Sequence, residues 1–147
     1  MQNWFECRIR YDKMLDNGVT KTVTEPYLVD ALSFTEAEAR IIEEMKPFVS
    51  EEFTVASIKR MRFNEMFLSE TGERYYKAKL YFITLNDNGS EKKNAVNMLV
   101  QASELKEVDE ILEEEMKKTM IDYEIANVLE TGIIDVFPYE CSKTEQL

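Results

Sequence analysis

The chain has 147 residues, 44% of them apolar and 32% charged, with only four glycines and three prolines. That is the composition of a packed globule long enough to bury a substantial core, and it excludes a disordered or collagen-like chain. A net charge of −11 argues against broad attraction to nucleic acid or an anionic membrane, although a local basic patch can still form.

The first strand is expected from Phe5, Cys7, Ile9 and Tyr11, which alternate with Glu6, Arg8 and Arg10. This period of two marks one buried and one exposed face. The start of the chain, Met1 to Lys13, has no uninterrupted apolar run, so no signal peptide is read there. No membrane span is read anywhere. A cytoplasmic location follows as the expectation, with Cys7 and Cys141 as free thiols. Asp16-Asn17-Gly18 then reads as a hairpin turn in which Asn and Gly take positive φ. A second strand runs through Leu28-Val29, and Pro26 suggests a bulge or a sheet edge.

Ser33 with Glu36 reads as a capping box opening a helix, whose buried face is traced by Phe34, Ala37, Ile41, Met45 and Phe48. A third strand begins at Phe53. A further extended segment, Met61 to Phe67, closes the unit as a separate strand or as the end of a bent one. Segment 68–74, with Thr71-Gly72, reads as a linker.

From Tyr75 the pattern starts again. Shifting the chain by 71 positions lays Trp4 to Lys46 on Tyr75 to Lys117 without a gap, with about a dozen identities among the roughly 43 pairs. They include Asp16-Asn17-Gly18 on Asp87-Asn88-Gly89, Leu28-Val29 on Leu99-Val100, and Glu43 to Lys46 on Glu114 to Lys117. The second copy thus has an inward face of Tyr76, Ala78, Leu80 and Phe82. Its helix opens at Ser103 and buries Leu105, Val108, Leu112, Met116 and Met120. Its third strand begins at Tyr123, one residue out of register, and Ile133 to Phe137 ends it. Residues 140–147 read as a frayed tail.

The fold class expected is therefore α+β: a tandem duplication of a β-β-α-β(-β) unit, repeats 4–67 and 75–137, with helices packed on antiparallel sheet. One sheet with one helix leaves apolar surface uncovered. The copies are accordingly expected to share one core about a pseudo-two-fold axis, so that residues 1–147 form a single domain.

The run Trp4-Phe5-Glu6-Cys7-Arg8-Ile9-Arg10-Tyr11, with Val23 to Ile41 and Asn97-Met98-Leu99-Val100-Gln101-Ala102, resembles an uncharacterised family. It is a domain of unknown function found mainly in gut Bacteroidetes and some of their phages. The resemblance covers nearly the whole chain but implies no activity and carries over no catalytic residue.

The chain has no histidine, which removes Ser-His and Cys-His nucleophile pairs, most zinc chemistry and the usual proton shuttle. The glycines are dispersed at Gly18, Gly72, Gly89 and Gly132, so there is no phosphate-cradling loop and no cofactor is called. Glu43-Glu44 and Glu114-Glu115 supply the oxygen ligands a hard cation needs. Adjacent helical residues, however, point about 100° apart, and the pairs read as solvated helix faces. No metal site is called. Cys7 alternates inward with Phe5 and Ile9 and reads as a small core residue.

The remaining constellation is on the outward strand faces. Arg8 and Arg10 correspond to Lys79 and Tyr81, with Trp4, Tyr75 and Lys77 nearby, and Lys59, Arg60 and Arg62 adding cations from the following strand. Against them, Ser103 to Lys118 carries seven acids and three bases. A cationic, aromatic sheet face opposite acidic helices suits an acidic protein partner; it also suits stacking of single-stranded nucleic acid, which the net charge disfavours. A bland explanation stands beside both, because strands often carry Lys and Arg to discourage edge pairing. The expectation is a non-enzymatic interaction module binding a protein across the junction of the copies. Single-strand binding and a small ligand at the repeat interface are the alternatives. The oligomeric state is not legible.

Overall fold

The computed structural model describes residues 3–138. Its fold is mixed α+β, with two helices and two four-stranded sheets. Contacts divide the chain into two compact units, one of Met1–Arg62 with Gly132–Leu147 and one of Phe63–Thr131.

In the first unit β1 (Trp4–Met14) and β2 (Thr20–Asp30) form a long antiparallel hairpin. Only Gly18 in its turn has positive φ, at 82°. The expectation for Asn17 is corrected accordingly. Hydrogen bonds from Leu15 N to Val19 O and from Gly18 N to Leu15 O close a three-residue loop, which needs one left-handed position. The helix α1 (Phe34–Met45) opens where Ser33 Oγ accepts from Glu36 N at 3.1 Å. It buries Ala37, Ile41 and Met45 against Phe5, Cys7 and Ile9. Phe48 is exposed because the helix has already ended at Met45, and Val49 takes the buried place. β3 (Phe53–Met61) then pairs with β1, with an extra residue, Ala56, between the partners of Arg8 and Ile9. That bulge is where the sheet is irregular; Pro26 pairs with Arg8 and lies on the stretch of β2 whose other side is a sheet edge, just before the second neighbour joins at Tyr27.

The second unit contains β5 (Arg74–Leu85), β6 (Glu91–Ala102), α2 (Leu105–Met116) and β7 (Asp122–Glu130). Gly89 again provides the positive φ, 85°. Val108, Leu112 and Met116 of α2 pack on Tyr76, Ala78 and Leu80. Leu105 is half exposed, and Met120, four residues beyond the helix end, is wholly exposed. The helix is not opened by Ser103. Its N-cap is Glu104, which makes no side-chain cap bond, while Ser103 Oγ donates to Thr71 O.

The two short terminal segments are strands of their own, and they complete the sheets differently from the expectation. β4 (Glu65–Phe67) runs parallel to β6, at Met98 to Val100, in the second unit. β8 (Asp135–Phe137) runs parallel to β2, at Tyr27 to Val29, in the first. The strand orders are β3-β1-β2-β8 and β4-β6-β5-β7, so each sheet is mixed. The last strand of each sequence repeat therefore pairs in the sheet formed by the other repeat. Three residues separate β3 from β4, enough for an antiparallel hairpin, yet β4 joins β6 instead. The tail at 140–147, with Cys141, lies outside the described residues.

Candidate functional site

Strand register decides which of the expected surface residues meet. On β1, Glu6, Arg8 and Arg10 alternate with the helix-facing Phe5, Cys7 and Ile9, and so project from the opposite face of the sheet. Lys59 of β3 lies across from Glu6 and joins them. Arg8 Nε pairs with Glu6 Oε1 at 3.1 Å, and Arg10 and Lys59 are exposed. The first unit thus has three cations on its outer sheet face, one of them tied to a carboxylate.

Arg60 is not part of that group. It is in register with Phe5, so it stands on the helix side, its guanidinium 5.7 Å from the Phe5 ring centroid and bonded to Asn3 Oδ1 at 3.0 Å. Arg62 follows the end of β3 and is exposed. Trp4 shares the parity of Arg8 but is only 4% exposed. Its ring is not presented to solvent.

In the second unit the outer face carries Lys77, Lys79 and Tyr81, all half-buried. Lys79 Nζ and Lys93 Nζ lie 5.5 and 6.0 Å from the Tyr81 ring centroid, and Lys93 also pairs with Glu124 at 3.1 Å. Cation–π contacts of this kind hold the ring and both ammonium groups in place. Tyr75, on the same parity, is 6% exposed. As with Trp4, its ring is not presented to solvent, whereas Tyr81 is half-buried.

One polar cluster escaped the sequence reading. Tyr11 OH and Tyr27 OH both donate to Glu25 Oε1, at 2.8 and 3.2 Å, on the helix side of the first sheet. Burial first, then the Glu25 carboxylate, pushes the Tyr11 phenol up to about 12, and the Tyr27 phenol is raised for the same reasons. The signal was present: Glu25 has the parity of Val23, Tyr27 and Val29, so a carboxylate at an inward position demanded donors. Cys7, fully buried, has its thiol pushed up to about 12 by burial, with Glu6 and Glu38 adding to it. A buried thiol so far from its thiolate is a core group and not a nucleophile.

Among the described residues no group of His, Cys, Asp or Glu is placed to hold a metal ion. No helix there is long and apolar enough to cross a membrane. The comparisons add one finding. A family model described as "Domain of unknown function (DUF4494)" matches residues 3–139. The chain belongs to the DUF4494 family. Comparison with curated proteins and with solved structures gives no match. The DUF4494 assignment covers both units and leaves function to be argued from the chain's own surfaces.

Proposed function

We propose that this DUF4494 protein is a non-enzymatic interaction module that holds an acidic segment of a protein partner on the outer face of its first sheet. The observation that carries the reading is the set Arg8, Arg10 and Lys59 on one exposed face of a chain whose net charge is −11. Cations grouped against so acidic a background give an approaching acidic segment one preferred landing place. Arginine is suited to this, because its planar fork binds carboxylates in pairs. Burial of Trp4 and Tyr75 withdraws two of the rings that single-strand binding would use for stacking.

A duplicated origin supports the same reading, since it explains why one architecture carries two differently decorated sheets. What favours duplication is the 71-residue offset, together with the hairpin glycines Gly18 and Gly89 and the matching bulges at Ala56 and Ala126.

The test is cross-linking through Lys59 in a cell extract, followed by mass spectrometry, with the triple variant Arg8→Glu, Arg10→Glu, Lys59→Ala as control. The reading expects cross-links to an acidic segment, lost at high salt and absent from a variant with Arg8 and Arg10 reversed while Lys59 is kept. Cross-links unaffected by that reversal would defeat it. Salt-sensitive retention of a single-stranded oligonucleotide would put nucleic acid in the partner's place.

A further inference from the structure

The second unit has a groove between α2 and β4 that the proposed interaction does not use. A cavity of about 300 Å³ is floored by Phe67, Phe82, Met98 and Met116, with Ile121 at its side. A second, of about 440 Å³, continues on the other side of Phe67 along Ile111 and Leu68. Glu115 lines both. The first is at the lower end of the size range for small-molecule sites, its apolar floor bordered by Asn64, Glu65, Glu115, Lys118 and Thr119.

The positions 71 residues earlier carry a different set of side chains. Phe82, Val96 and Met98 stand where the first unit has Tyr11, Glu25 and Tyr27. There the two phenols converge on the carboxylate, and the Tyr27 ring stacks on Phe137 with centroids 6.0 Å apart. In the second unit all three polar groups are gone. A flexible thioether replaces the larger Tyr27 ring, and methionine is a side chain that adapts to a guest and favours aromatic contact.

The rim chooses the guest's charge. Glu65 and Glu115 border the smaller cavity and Glu107 the larger, against one cation, Lys118, which pairs with Glu115 at 3.2 Å. Three carboxylates against one ammonium leave an acidic mouth over an apolar floor. We propose that this groove binds a small hydrophobic amine, its ring or branched chain on Phe67, Phe82 and the two methionines and its ammonium group at Glu65 and Glu115.

The test uses the full chain labelled with ¹³C at its methionine methyl groups and titrated with 2-phenylethylamine, phenylacetate and toluene. The amine should give saturable shifts at Met98 and Met116, with phenylacetate at least about tenfold weaker, the difference that one lost charge contact of about 1.4 kcal/mol produces. Glu65→Gln with Glu115→Gln should narrow that gap severalfold. Met98→Tyr, which restores the bulk present in the first unit, should abolish the shift at Met116. Should Met98→Tyr fail to fold, Ile121→Trp closes the mouth from a position 41% exposed and should do the same. Absence of saturation, equal affinity for amine and acid, or shifts that survive a folded mouth-closing variant would each overturn the proposal.

Discussion

The two units solve one packing problem with different chemistry. Both lay a twelve-residue helix on a four-stranded mixed sheet, and both bulge the third strand at an alanine. On the helix side of the sheet the first unit places two tyrosines and a glutamate at register positions where the second has apolar side chains beside a groove. An inward carboxylate is tolerable only when its oxygens are satisfied, and Glu25 has its donors on the neighbouring strand and two residues along its own. Phe82, Val96 and Met98, at the matching register positions of the second unit, carry no charge and need no such donors. The comparison teaches that one inward charge fixes its neighbours.

The largest effect separates the two loop glycines. A Cβ on Gly72 would lie 2.7 Å from Ala102 N and 2.9 Å from Ala102 Cα, both backbone atoms that cannot move without shifting β6. A Cβ on Gly132 would meet nothing closer than Pro26 Cγ at 3.8 Å. Gly72→Ala is expected to cost about 3 kcal/mol and Gly132→Ala less than about 0.5 kcal/mol, read from urea midpoints. Equal midpoints would mean that the backbone at Gly72 yields, and that the close approach in the second unit is not a constraint.

Next comes the triad. Tyr11→Phe with Tyr27→Phe leaves Glu25 without either phenol and should cost about 2 kcal/mol. Adding Glu25→Val to that pair should recover most of the loss, because replacing a whole part-buried polar set by apolar groups is often close to neutral. A triple variant as unstable as the double one would show that the first unit depends on shape at these positions and not on the satisfied charge.

A smaller effect appears only in alkali. Cys7 is replaced by Ala78 in the second unit, so the thiol belongs to one unit alone. Its folded pKa is raised above the ordinary 9.0 to about 12. Protonated thiol is thus favoured by folding, and its contribution is complete below pH 9 and lost as pH climbs toward 12. Cys7→Ala should flatten the fall in the urea midpoint between pH 9 and 10, by roughly 1 kcal/mol at pH 10. The decline that remains above pH 10 belongs to Tyr11 and Tyr27. An unchanged slope between pH 9 and 10 would mean that the folded chain ionises Cys7 freely.

Most elements were legible because each obeyed a local rule. The hairpins declared themselves by alternation and an Asp-Asn-Gly turn, and α1 by Ser33 and an apolar stripe. What was not legible depends on partners remote in sequence. Nothing local in Glu65–Phe67 or Asp135–Phe137 says which sheet three residues will join, or that they will run parallel. The surface cations were half legible. Period two put Arg8 and Arg10 on the outer face, but the Ala56 bulge and the pairing of β3 decide that Lys59 joins them while Arg60 turns to Phe5. Trp4 and Tyr75 share the outward parity and are buried nonetheless, because period two reports which face a residue is on and not what lies over it.

The helix starts give the smallest difference and the sharpest check on the 71-residue offset. Under that offset Ser33 falls on Glu104 and not on Ser103, and the helices begin accordingly, with Ser33 and Glu104 at the two N-caps. Ser33 Oγ satisfies a helix N–H, whereas Ser103 Oγ is committed to Thr71 O in the preceding loop. Ser33→Ala should therefore cost about 1 kcal/mol, the usual value of a lost N-cap. Ser103→Ala removes one exposed hydrogen bond and should cost less than about 0.5 kcal/mol. Glu104→Ser should stabilise the second helix by installing the missing cap, with a rise in urea midpoint close to the fall seen for Ser33→Ala. If Ser103→Ala proves as costly as Ser33→Ala, then Ser103 caps α2 in solution and the correspondence between the helix starts shifts by one residue.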